Sequence, residues 1–133
     1  MTRACDTSIL VPTLVTWHEA HESAAAAFAD VMVIPAHVAM ETYSVLTRLP
    51  VRQRVAPDLA AAAIAALGRE TIGLSAGEQL ELIPRLAALG ISGGAAYDGM
   101  IGVTAARHAC VLVTGDRRAA RTYDAVGAEC QFV

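Results

Sequence analysis

Apolar and polar positions along this chain change period repeatedly. Five short stretches read as strands: TRACD (2–6), VMVIPA (31–36), ETIGLS (70–75), CVLVT (110–114) and ECQFV (129–133). Between them apolar residues recur every three to four positions, which predicts helices over 8–15, 18–29, 37–48, 58–68, 76–89, 93–108 and 117–125. Gly68, Gly90 and Gly127 stand where helices should stop, and Pro50 and Pro57 punctuate a basic loop, RLPVRQRVAP. Strands alternating with helices, and apolar along nearly their whole length, predict a parallel sheet covered on both faces. Ligands of such sheets bind beyond the carboxyl ends of the strands, where the strand order reverses. No internal repeat breaks the pattern, so one domain over residues 1–133 is expected.

Composition narrows this picture. The chain is 55% hydrophobic, and its alanine runs suit tightly packed helices. No apolar stretch reaches the roughly 20 residues that cross a bilayer, and no signal-peptide pattern opens the sequence. Three cysteines, Cys5, Cys110 and Cys130, form no C-x-x-C pair and suit a reduced, cytoplasmic protein. The net charge of −3 supplies no overall basic field for nucleic acid. All ten basic residues are arginine. Without lysine, a Walker A loop, a Schiff-base mechanism and the kinase lysine are excluded, and receiver domains and haloacid-dehalogenase-like phosphatases would lack their usual lysine. Such a phosphatase would also carry a second acid two residues after Asp6, where Ser8 stands.

Four acids then stand out. Asp6 directly follows the first strand and Asp116 the fourth, which in a parallel sheet puts both at one edge. In the helix after the second strand, Val38, Glu41 and Val45 share a face with Leu46 and Leu49 beside them, so Glu41 falls on the inward stripe. Asp98 lies with Ala95, Ile101, Gly102 and Ala105 on a small-residue face. An inward carboxylate costs several kcal/mol unless compensated. Taken singly, each acid could be a helix cap or half of a salt bridge, with Arg48 or Arg107 as partner. Four converging carboxylates repel one another, and the ordinary cure is a hard divalent cation, Mg²⁺ or Mn²⁺, with positions open for water and phosphate oxygens. Arg117 and Arg118, placed at the start of the last helix beside Asp116, suit a phosphate or simply a solvated helix face. Thr114 could orient a ligand or bond a phosphate.

Together the patches CDTSILV, PAHVAMETYSVLTRLP, AYDGMIGVTAARH and VLVTGDRRAARTY resemble the PIN-domain ribonucleases, and within them the VapC-type toxins of toxin–antitoxin pairs. The likeness covers almost the whole chain. It implies a PIN-like, Rossmann-like three-layer α/β/α domain with a five-stranded parallel sheet. It also implies an acidic Mg²⁺ or Mn²⁺ pocket of Asp6, Glu41, Asp98 and Asp116, with Thr114 and Ser8 supporting it and Arg117 and Arg118 near the substrate. The implied activity is cleavage of RNA phosphodiester bonds by metal-activated water. The implied partners are a cognate VapB-like antitoxin and a second copy in a homodimer, with no membrane involved. Gly99 and Gly102 stand where that family often carries alanine, and Arg48, Arg52 and Arg54 add a basic loop that could meet RNA.

WHEAHES (17–23) is not a zinc motif, since its histidines are three rather than four apart and lack a third ligand. The expectation there is a polar helix face with Trp17 anchoring it to the core. Pro84 is expected to kink the helix over 76–89. His37 and His108 are not required by the chemistry. Two functions of different class remain: a metal-dependent endoribonuclease toxin, and a non-catalytic module of the same fold that holds a cation or a partner through its acidic pocket.

Overall fold

A computed structural model describes all of residues 1–133. Its elements run β1 (Arg3–Cys5), α1 (Thr7–Leu14), α2 (His21–Phe28), β2 (Val33–Pro35), α3 (Ala36–Thr47), α4 (Pro57–Ala65), β3 (Glu70–Ile72), α5 (Ala76–Ala88), α6 (Ala95–Arg107), β4 (Val111–Thr114), α7 (Ala120–Ala125) and β5 (Glu129–Phe132). Every predicted strand and helix is present, most of them shorter than the pattern suggested. All strand pairs are parallel, in the order β3-β2-β1-β4-β5. The chain winds outward from β1 to β3, then returns to build β4 and β5 on the other side. The reversal lies between β1 and β4, where Ala4 pairs with Leu112 and Cys5 with Val113.

Helix contacts fall into two sets, α1 to α4 and α5 to α7, one for each face of the sheet as right-handed crossovers require. This is the expected three-layer α/β/α arrangement. The main core joins Ala4, Cys5, Leu112 and Val113 of the central strands to Ile9 and Leu10 of α1 and to Ile101 and Tyr123 of the opposite layer. Local signals set the helix ends. Ser75 and Glu78 close a capping box on α5, and Gly68, Gly90 and Gly127 all take positive φ (64°, 71° and 83°) just past helix ends. Pro84 lies inside α5, which continues through it to Ala88.

Three local expectations are corrected. Trp17 is 56% exposed and anchors nothing in the core. The buried stripe of α3 is Val38, Thr42 and Leu46, at strict spacing of four, so Glu41 sits on its shoulder, half-buried. The last helix starts at Ala120, and Arg117 and Arg118 lie in the turn before it. The Asp116 side chain makes that turn by accepting the Arg118 N–H at 3.0 Å, an alternative to helix that aspartate commonly offers the backbone.

Candidate active site

Asp6 ends β1 and caps α1, its side chain accepting the Ser8 N–H at 3.1 Å. It is buried, and three hydroxyls also reach it. Ser8 Oγ donates to Oδ1 at 2.5 Å, Thr114 Oγ1 to Oδ2 at 2.5 Å, and Tyr123 Oη to Oδ2 at 2.7 Å. A carboxylate offers about four acceptor positions. Those of Asp6 are all engaged by neutral donors. Burial nevertheless dominates and pushes the Asp6 carboxyl above its ordinary range, the hydrogen bonds from Ser8, Thr114 and Tyr123 opposing it.

The supporting residues form a connected frame between β1 and β4. Thr114 Oγ1 accepts the Asp116 N–H at 3.0 Å while donating to Asp6, and Ser8 Oγ accepts the Gly115 N–H at 2.8 Å. Thr114 is fully buried, so it orients the two aspartates and cannot itself bond a phosphate, contrary to one expectation. Tyr123 was not singled out by sequence. A lone aromatic in a short helix reads as core, and only the folded chain shows its hydroxyl ending on Asp6.

Asp6, Glu41, Asp98 and Asp116 line one small pocket of about 40 Å³, together with Thr7, Ser8, Ile101 and Tyr123. That is room for an ion and little more. Glu41 comes from α3, Asp98 from the first turn of α6, and Asp116 from beyond β4. The four therefore converge at the reversal in strand order. Burial, then the charges of Asp116, Glu41 and Asp6, push the Asp98 carboxyl up to about 6. The arginines considered as structural partners lie elsewhere: Arg107 Nη1 pairs with Glu78 at 3.0 Å, and Arg48 Nη1 donates to Ser44 Oγ. Arg118 Nε approaches Asp116 at 3.7 Å from a side chain 97% exposed, and His37 Nε2 lies 3.5 Å from Glu41.

As they stand the carboxylates form no closed cage of three ligands. Two observations fit a hard divalent ion. Every donor is an oxygen, and Thr7 Oγ1, on the pocket wall, is buried with no hydrogen-bond partner. In WHEAHES, His18 Nδ1 accepts the Ala20 N–H and His21 Nδ1 meets the Pro12 carbonyl.

A larger cleft of about 720 Å³ adjoins the pocket and shares Thr7, Ser8 and Asp116 with it. Arg117 and Arg118 stand on its rim, both exposed, with the Arg117 guanidinium 5.1 Å over the Phe132 ring. Arg52 lies in an exposed turn of the basic loop, and Arg54 Nε donates to the Leu49 carbonyl. No helix is long and apolar enough to cross a membrane.

The PIN domain family matches residues 4–125, which include all four acids. Over 131 residues, 98% of this chain and 98% of the relative, the sequence is 41% identical to Ribonuclease VapC40 of Mycobacterium tuberculosis, in both strain CDC 1551 / Oshkosh and strain H37Rv. It is also 41% identical over 126 residues to Ribonuclease VapC27 of strain H37Rv, covering 93% of this chain and 91% of that protein.

Proposed function

The chain belongs to the PIN-domain family and to its VapC-type ribonucleases, and we propose that it is a Mg²⁺- or Mn²⁺-dependent endoribonuclease toxin acting at the pocket of Asp6, Glu41, Asp98 and Asp116. The supporting observation is the convergence of four acids from four separate segments, close enough that their charges help hold Asp98 up to about 6. A bound divalent cation supplies the neutralising charge, a water of lowered pKa and a Lewis acid for the phosphoryl oxygens.

The protein's own groups divide the remaining work. Glu41, Asp98 and Asp116 present carboxylate oxygens toward the pocket. Asp6, its acceptor positions taken by Ser8, Thr114 and Tyr123, contributes a charge fixed in place at the pocket floor. Arg117 and Arg118 border the cleft through which an RNA backbone would approach Asp116, and their guanidinium forks match phosphate oxygens. This arrangement lets an acidic protein bind a polyanion locally. Kinship with VapC proteins further supports a cognate VapB-like antitoxin, a homodimeric active form and a cytoplasmic setting, in which three free cysteines stay reduced.

The test is cleavage of total and transfer RNA by purified protein with Mg²⁺ or Mn²⁺ against EDTA, and wild type against Asp98→Asn. Discrete fragments that vanish with EDTA and with the variant support the reading. A variant that cuts as well as wild type removes Asp98 from the site. Mn²⁺ binding without cleavage of any RNA transfers the pocket to the non-catalytic module.

A further inference from the structure

Beside the acidic pocket lies a second cavity of about 330 Å³, at the carboxyl edge of β2 and β3. Ala36, Ile72, Leu74 and Met100 give it apolar walls, and His37 and Gln79 give it polar edges. His37 is the partition between the two sites: it lines this cavity while its Nε2 lies 3.5 Å from Glu41, on the wall of the other. The Tyr97 ring, outside the cavity, stacks on the imidazole at 5.1 Å between centroids and 6° between planes. That stack fixes the imidazole as a rigid wall. The volume lies in the range of small-ligand pockets, which combine apolar walls with few polar readers.

We propose that this cavity is a nucleobase subsite, taking one unpaired base of the RNA strand next to the phosphate held at the acids, with Gln79 reading its edge. The inference rests on the ribonuclease reading above. Other polar groups of the lining are already engaged. The Gly73 carbonyl meets His108 Nε2 at 3.0 Å, and Thr104 Oγ1 donates to the Met100 carbonyl at 2.7 Å. Gln79 is exposed on the first turn of α5, and its carboxamide carries a donor and an acceptor side by side, the pattern that reads a base edge in two bonds. Aliphatic walls and an imidazole partition suit a splayed-out base, the form in which single-stranded RNA is read.

Methyl-labelled methionine offers a probe independent of cleavage, because Met100 lines the cavity while Met1, Met32 and Met40 are exposed elsewhere. In EDTA, the protein is titrated with adenosine, guanosine, cytidine and uridine 5′-monophosphates and with ribose 5-phosphate, and the methyl resonances are followed. The expected result is a saturable shift of Met100 alone, about fivefold or more tighter for the preferred nucleotide than for the poorest, and absent with ribose 5-phosphate. Gln79→Ala should keep the shift and level the preference. The proposal is overturned if Met100 stays still, if ribose 5-phosphate moves it equally, or if Gln79→Ala keeps the preference. RNA cleaved by a protein whose Met100 is silent removes the subsite alone. Nucleotides that move Met100 in a protein that cuts no RNA remove the ribonuclease reading and leave a nucleotide site.

Discussion

The Tyr123 hydroxyl donates to Asp6 Oδ2 at 2.7 Å, tying α7 to the end of β1 across 117 positions of sequence. Tyr123→Phe keeps the buried ring and removes one donor from a buried carboxylate. The expected cost is about 1–3 kcal/mol of stability, measured by urea denaturation. Loss of a group that fixes the Asp6 charge at the pocket floor should also weaken Mn²⁺ binding by about tenfold in calorimetry. Unchanged Mn²⁺ affinity would show that Ser8 and Thr114 hold Asp6 without it.

Asp98 sets a dependence on pH of unusual sign. Its carboxyl is raised from 3.8 to about 6 in the folded chain, by burial first and then by Asp116, Glu41 and Asp6. The folded state therefore holds this proton more tightly than the unfolded state. The stability it contributes is complete below the unfolded value and is lost as pH rises through about 6. In EDTA, the melting temperature of Asp98→Asn should gain on wild type as pH goes from about 4.5 to about 7.5. A difference that stays constant over that interval would contradict the upward shift of the Asp98 carboxyl by burial and by its acidic neighbours.

The two glycines of α6 should respond differently to a methyl group. At Gly102 a Cβ would lie 2.8 Å from Val126 Cγ2 and 3.1 Å from the Tyr123 ring, on the side of the helix that meets α7. Gly102→Ala is expected to cost about 1–3 kcal/mol and to lower nuclease activity through Tyr123 and Asp6. At Gly99 the near atom, at 2.7 Å, is the tip of Leu86, which can turn away. The gain in helix propensity, about 1 kcal/mol, should then leave Gly99→Ala within about 1 kcal/mol of wild type. Thermal denaturation of the pair decides whether close helix contact or chain flexibility explains these residues.

Arg118 tests the RNA path. Its side chain is 97% exposed and only 3.7 Å at closest from Asp116, so Arg118→Ala should change stability by no more than about 0.5 kcal/mol. If it meets a phosphate, the salt dependence of RNA binding should fall by about 0.7 in the slope of log K against log salt. An unaltered slope in anisotropy titrations would return Arg118 to the solvated surface.

The sequence made the sheet and its acids visible because both follow from chain-local facts. Strands announce themselves as short apolar runs, and a carboxylate at a strand end or on an inward helix shoulder is visible as misplaced charge. What escaped detection depends on where a side chain goes after folding. Nothing local marks the Tyr123 hydroxyl as a partner of Asp6, and Thr114 reads as free to meet a phosphate although its hydroxyl is committed to Asp6 and Asp116. Arg117 and Arg118 were assigned to a helix whose start the Asp116 side chain delays. Trp17 was assigned to the core on hydrophobicity alone, which a single exposed aromatic does not obey.

The pairing of β1 with β4 also governs when the site can exist during synthesis. Asp6 leaves the ribosome early, but the Thr114 hydroxyl that anchors it follows 108 residues later. At about 5–20 residues per second, that interval is roughly 5–20 s for each chain. Throughout it the first strand lacks its central neighbour and the four acids cannot meet. A protein that cuts RNA would thus be harmless to the message still encoding it until β4 emerges and docks.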